Sequence, residues 1–351
     1  MFPRYTVFVF YIATAIFFVP RKATSWEFAA AGLPEDIFIW KFAIWRNRAF
    51  LAIPRWQGND TSKGTMTLFE AAWPESSSPL VKSTKFPSVS RNKPENDECL
   101  RTVVGLDVDV RGRLWLLEVP DNFDCSARIV IYNLRRNNQL VSCTDLTNVP
   151  TRSLRALAID QSGSRGYVGD PGDESIIVFM SEKERWWRIK MIHGPEVPRV
   201  FSTDLAISRK NSVLYMTGSD SLDLFSINLQ ELWTEEDTPT FKGKSGNITA
   251  VWHGTKMGAS SGLFCDVKDG LHYFMSSERA SVRWDTRLTL KAESHSVLVQ
   301  NENCPCVTDY AMDSQKNLWG LVNLQCPFSR NFNSRSTLKP RTVKIGKYST
   351  S

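Results

Sequence analysis

Histidine is scarce in this sequence, with four residues in a chain of 351. None of His193, His253, His272 and His295 stands at metal-ligand spacing from another. Cys304-Pro305-Cys306 places two thiols one residue apart, which is not the two-to-four-residue gap of a zinc site. No metal and no cofactor is therefore expected. Basic clusters are also short. No basic run inside the chain exceeds Arg135-Arg136, and the net charge is +6. The electrostatic footprint of a nucleic-acid binder is missing.

Long apolar runs are lacking except at the start. Tyr5–Val19 is shorter than the roughly 20 residues needed to cross a bilayer comfortably. Arg4 precedes it and Ala23-Thr24-Ser25 supplies small residues behind it, so residues 1–25 read as a signal peptide cut before Trp26. A secreted protein with no membrane partner is expected. Loss of the segment's three bases lowers the net charge from +6 to +3.

Everywhere else the apolar runs are short and β-branched, about 5–7 residues bounded by Asp, Gly and Pro, which suits strands and not helices. Val103–Leu134 shows the pattern: strands over Val104–Val110, Arg113–Val119 and Ile129–Leu134 around a turn at Arg111-Gly112. Part of it recurs as an apolar strand, then Asp or Ser, a short turn, and an apolar strand carrying Trp or Tyr. The copies are Gly105–Glu118, Ala156–Asp170, Asp204–Gly218, Gly262–Ser276 and Asp309–Val322. Their turn residues are Asp109, Asp160, Ser208, Asp266 and Asp313, and their aromatics are Trp115, Tyr167, Tyr215, Tyr273 and Trp319. A degenerate sixth copy lies at Asp36–Trp56, with Asn47 in the turn. A repeat of roughly 50 residues is the period of a four-stranded propeller blade. The expected fold is all-β: a six-bladed β-propeller of four-stranded blades over residues 26–327. Residues 328–351 are basic and rich in Ser and Thr, and are expected to form a disordered tail.

Seven cysteines in a secreted chain should mostly pair, and the odd count leaves at least one over. Cys99 and Cys125 flank the first complete cassette, where a disulfide would clamp it. Asn59-Asp60-Thr61 and Asn247-Ile248-Thr249 are sequons, so Asn59 and Asn247 are candidate glycosylation sites.

Ile53-Pro54-Arg55-Trp56 with Gly58, Gly112-Arg113-Leu114-Trp115, Ile129–Leu134 after Cys125, Trp187-Arg188-Ile189 and Ser260-Ser261-Gly262 follow in a distinctive order. Trp284-Asp285, His295–Val299 and Asn317-Leu318-Trp319 with Asn323 complete it. Together they resemble the yellow / major royal jelly protein family of arthropods, from about Phe38 to Gln325. The resemblance implies a secreted six-bladed propeller. The family's members include pigmentation proteins, dopachrome-converting proteins, nutritive glycoproteins and amine-binding salivary proteins. The chain departs from the family in having no Cys before Arg113-Leu114-Trp115 and in carrying Cys306-Val307-Thr308-Asp309 where Trp-Pro-Asp-Thr is usual.

Residues three or four beyond each cassette aromatic fall at equivalent strand ends: Glu118, Asp170, Gly218, Ser276 and Asn323. Around one axis these ends would meet at a funnel, with Glu118 or Asp170 as counter-ion to an amine. The resemblance adds Asp309 and Asn323, similar in position to pocket-lining residues of amine-binding members. The candidate ligand-binding set is thus Glu118, Asp170, Ser276, Asp309 and Asn323, and the expected partner is a small aromatic amine or catechol metabolite. Catalytic signals are weak. Gly258-Ala259-Ser260-Ser261-Gly262 fits the G-x-S-x-G string, but a strand is expected after it where a nucleophile elbow needs a helix. Asp107 and Asp109 share one strand face, with Asp109 at the turn and Asp107 toward the channel or a hydrogen-bond partner. Three functions follow: a non-catalytic amine or catechol carrier linked to pigmentation, a dopachrome-converting enzyme, or a structural or nutritive glycoprotein.

Overall fold

In a computed structural model, residues 25–34, 37–54, 67–73, 83–87, 99–121, 125–208, 210–232, 246–324, 326 and 339–348 are described. Strand β1 (Ser25–Glu27) precedes a sheet of β2 (Lys41–Trp45), β3 (Arg48–Ala52), β4 (Leu68–Ala72) and β5 (Thr84–Lys85). The next contains β6 (Arg101–Val108), β7 (Arg113–Pro120), β8 (Ala127–Asn133) and β9 (Gln139–Leu146). A third is built on β10 (Leu157–Ile159), β11 (Arg165–Asp170), β12 (Ser175–Met180) and β13 (Arg185–Ile192). The chain continues through β14 (Asp204–Ile207), β15 (Val213–Thr217) and β16 (Ser221–Asn228). Strand β17 (Gly246–Thr249) then returns to pair in parallel with β13. Strands β18 (Val251–Cys265), β19 (Gly270–Met275), β20 (Ala280–Asp285) and β21 (His295–Gln300) join β14–β16 in one seven-stranded sheet. The last sheet unites β22 (Cys306–Met312), β23 (Asn317–Asn323) and β24 (Arg341–Lys347) with β1.

The fold is all-β and propeller-like. Strands β2, β6, β10, β14, β18 and β22 neighbour one another in a closed ring, and the sheets radiate from it. The expected separate four-stranded blades become five hydrogen-bonded sheets, one of five strands and one of seven. The reason lies in β18. It is 15 residues long and pairs with β16 along its first part and with β19 along its second, so two groups of strands share it.

The repeated turn explains why the sequence recurs. Asp109 Oδ1 accepts the amides of Arg111 and Arg113, both at 2.9 Å, while Oδ2 accepts the Trp115 indole N–H at 2.9 Å. Asp313 does the same with Gln315, Asn317 and Trp319, each at 2.8 Å. One carboxylate thus satisfies two turn amides and anchors an aromatic six residues on, so a buried charge is fully bonded. At Asp266 the six-on residue is His272, at 2.9 Å, and not the expected Tyr273. The Tyr residues at 167, 215 and 273 stand seven after their turn residue and pack into the cores between sheets.

Those cores are apolar layers between neighbouring sheets. Trp115, Ile129, Ile177 and Phe179 fill one, and Phe50, Phe86, Leu116 and Tyr132 another. Trp26, Trp73 and Trp319 close the ring between the first and last sheets, with edge-to-face ring distances of 5.3 and 5.0 Å.

One expectation needs revision. The tail expected to be disordered contributes β24, paired on one side with β23 and on the other with β1, Ser25 opposite Val343. It buries Thr342, Val343 and Ile345, which are few residues in a long polar stretch and so easily overlooked. Disulfides join Cys99 to Cys125 and Cys306 to Cys326, whereas Cys143, Cys265 and Cys304 are not bridged. The Cys99–Cys125 clamp agrees with the expectation.

Candidate functional site

The inner strands enclose an axial cavity of about 170 Å³. Its walls come from all six: Phe42–Ile44, Leu106–Val110, Leu157–Gln161, Leu205–Ile207, Leu263–Cys265 and Asp309–Met312. Most of these side chains are apolar. Close approach of the strands needs small residues; a Cβ on Gly105 would fall 2.8 Å from that of Leu157.

Where the inner strands begin, the cavity is capped by charge. Lys41 Nζ lies 3.4 Å from Asp204 Oδ1 and 3.2 Å from Asp309 Oδ1, and all three side chains are buried. Asp309 Oδ2 also accepts the Phe42 amide at 3.0 Å. Burial alone would lower the Lys41 pKa, but attraction to Asp309 and Asp204 outweighs it and the ammonium is held above its usual range. Burial pushes the Asp309 carboxyl up against the pull of Lys41. Beside this group, Asn323 clamps the chain before β2. Its Oδ1 accepts the Ile39 amide at 3.2 Å, and its Nδ2 donates to Ile39 O and to Thr308 Oγ1, both at 2.7 Å.

The candidate residues therefore lie at one end of the molecule, but of the five only Asp309 lines the cavity. Glu118 sits opposite Arg128 in the β7–β8 register and accepts its Nε at 2.6 Å. Asp170 is bonded to Arg188, and burial still raises its pKa. Ser276 is a half-buried turn residue after β19. Each strand-end carboxylate has found a cation within the chain, a pairing set by cross-strand register and invisible in strand order. Asn247 is exposed on β17, while Asn59 lies outside the described residues.

The opposite end differs. Asp107 is exposed and lines the cavity with Ile44, Val108, Ile207, Phe264 and Met312, which are all less than fully buried or at its margin. The alternation that placed Asp107 and Asp109 on one strand pointed to it; that Phe264 lines the same cavity depends on strands far apart in sequence. None of the four histidines lines the cavity. Ser260 lies inside β18 and strand β19 follows, so the G-x-S-x-G string is no nucleophile elbow.

A family model described as major royal jelly protein matches residues 101–344. The chain belongs to that family. The yellow-related salivary protein ASP2 of Phlebotomus orientalis is 25% identical over 300 residues, 74% of this chain and 72% of its own. The yellow-related salivary protein LJM111 of Lutzomyia longipalpis is 31% identical over 116 residues, 32% of this chain and 27% of its own. Among solved structures, a luciferin-regenerating enzyme is similar with a TM-score of 0.55, 12% identity and coverage of 92% and 94% of the two chains. A virginiamycin B lyase from Staphylococcus aureus gives a TM-score of 0.51 at 10% identity, covering 85% of this chain and 81% of its own. At such identities the likeness concerns the fold alone. This royal-jelly-family chain thus resembles yellow-related salivary proteins in sequence, and its departure at Cys306-Val307-Thr308-Asp309 falls at the capped end of the channel.

Proposed function

We propose that this protein is a secreted, six-bladed, non-catalytic carrier that holds a small aromatic amine or catechol metabolite in its axial cavity. The blade count rests on the closed ring of six inner strands, with β18 counted once in each of two blades. Secretion rests on the apolar leader-like segment at residues 1–25 and on kinship with salivary proteins.

The observation that carries the ligand reading is the cavity: about 170 Å³, with walls that mix apolar side chains and polar surface, and with the Asp107 carboxylate at one end. A cavity of roughly 150 Å³ in another protein takes up benzene, so the volume suits one aromatic ring. An ammonium on that ring would be held by Asp107, while Phe264 offers an apolar face. Lys41 occupies the position between Asp204 and Asp309 that an amine would otherwise take, so the ligand's charged end points to Asp107. The dopachrome-converting alternative needs a proton donor and acceptor at the ligand, and no histidine lines the cavity to favour it.

Calorimetric titration of the full-length chain with serotonin and dopamine, with dopachrome absorbance followed in parallel, tests the reading. Saturable amine binding is expected, without faster dopachrome decay. Asp107→Asn should weaken binding about 10- to 100-fold, the worth of one hydrogen bond to a charged group, and leave the melting temperature unchanged. Binding that survives Asp107→Asn, or none at all in the parent, would sink the assignment.

A further inference from the structure

On the face where the inner strands end, a groove of about 640 Å³ lies between the seven-stranded sheet and β24. Lys210, Lys268, Arg283, Arg287, Ser296, Leu298, Gly346, Lys347 and Tyr348 line it, so five cations and no carboxylate face it. The cations come from separate elements: the β14–β15 turn, the β18–β19 turn, β20 and the segment behind it, and the end of β24. Lys210, Lys268 and Lys347 are exposed. None of the three has an ion-pair partner within 4.0 Å among the described residues.

Nearby carboxylates cancel the two arginines and leave the three lysines as the groove's uncompensated charge. Asp285 is taken by Arg287 at 2.6 Å, and Asp269 is buried against Ser208 Oγ at 3.0 Å and the amide of Lys210 at 3.4 Å. Asp266 is wholly buried and shared by His272 at 2.9 Å and Arg283 Nε at 2.6 Å. That last pair makes the groove floor rigid. Arg283 lies so close over Gly270 that a Cβ there would fall 2.1 Å from its Cζ, and Tyr348 OH meets His272 Nε2 at 3.1 Å. One guanidinium is therefore seated in a fixed place below a rim of exposed lysines.

We propose that this groove binds a sulfated glycan chain. Fully ionised sulfate groups suit lysine point charges, which need no bidentate geometry. The cations are spread over four segments, so they match several anionic groups along a chain better than one small ion. Single-stranded nucleic acid is less suited, because base stacking needs exposed aromatic faces and Tyr348, the groove's one aromatic, is buried. The site is distinct from the axial cavity and does not depend on its ligand.

The test is titration of the full-length chain with a heparin-derived octasaccharide at low salt, beside inorganic sulfate and a single-stranded DNA of matched charge. The octasaccharide should bind most tightly, and its affinity should fall steeply with added salt. Lys210→Ala, Lys268→Ala and Lys347→Ala should each weaken it about two- to fivefold, the worth of one exposed charge pair. The triple variant should lose at least roughly tenfold with an unchanged melting temperature. The proposal is overturned if the triple variant binds like the parent, if the octasaccharide binds no better than inorganic sulfate, or if the DNA binds equally well.

Discussion

Two buried lysines show how the same residue type takes opposite parts. Lys41 is held charged by two carboxylates, whereas Lys256 is buried with a hydroxyl and two carbonyls. Its Nζ donates to Thr217 Oγ1, to Ser221 O at 2.8 Å and to Asp223 O at 3.4 Å, and burial pulls its pKa down to about 7. Between about 7 and its ordinary 10.5, the unfolded chain holds a proton that the folded chain lacks. Stability contributed by Lys256 therefore rises with pH across that window, by up to about 1.4 kcal/mol per pH unit. From pH 7 to 9 in urea denaturation, the parent should gain about 2 kcal/mol relative to Lys256→Met; a constant difference would disprove the buried neutral amine. Lys41→Met leaves Asp204 and Asp309 without their cation. At neutral pH it should destabilise the fold by about 3–5 kcal/mol. Because burial already raises the Asp309 pKa, the loss should shrink as the pH falls and that carboxyl takes up a proton. The same denaturation series reads both effects.

Among the elements, β1 and β24 matter beyond their length. Three residues at one end of the described chain and seven near the other complete a single sheet. Trp26, 4% exposed, is the anchor of β1 against Phe28 and Trp73. Trp26→Ala should cost about 3–5 kcal/mol, the usual loss for a large buried aromatic, measurable by chemical denaturation. The Cys306–Cys326 bridge spans 20 residues beside the same sheet. Its removal in Cys326→Ser should cost about 2–4 kcal/mol, chiefly through freedom returned to the unfolded chain. A null effect in either variant would mean that the closing sheet is secured elsewhere.

For the molecule as a whole, pairing β1 with β24 in one sheet makes the ring one mechanical unit. A chain ending at Pro340 should lose its calorimetric transition as a whole, or show it at a much lower temperature, and not shed a separate small transition. What was legible beforehand was local. Short β-branched runs dictate strands, because their length and stiff side chains suit a pleat and little else. The spacing of Asp109 to Trp115 and of Asp313 to Trp319 encodes a turn whose carboxylate bonds are made within six residues, so it can be read from the chain alone. The Cys99–Cys125 clamp, 26 residues apart, was readable because the two cysteines flank one repeat. The family pattern added the order of the repeats. The fate of each carboxylate was not readable: Glu118 met Arg128, Asp170 met Arg188, and Asp309 met a lysine 268 positions away. Those pairings, like the merging of two strand groups through β18 and the recruitment of β24, depend on register and on ring closure. Glu118–Arg128 and Asp170–Arg188 are 10 and 18 residues apart and turn on hairpin register, whereas the Lys41–Asp309 pair and the closing sheet are long-range outcomes of burying the sheet faces, and no short window of sequence contains them.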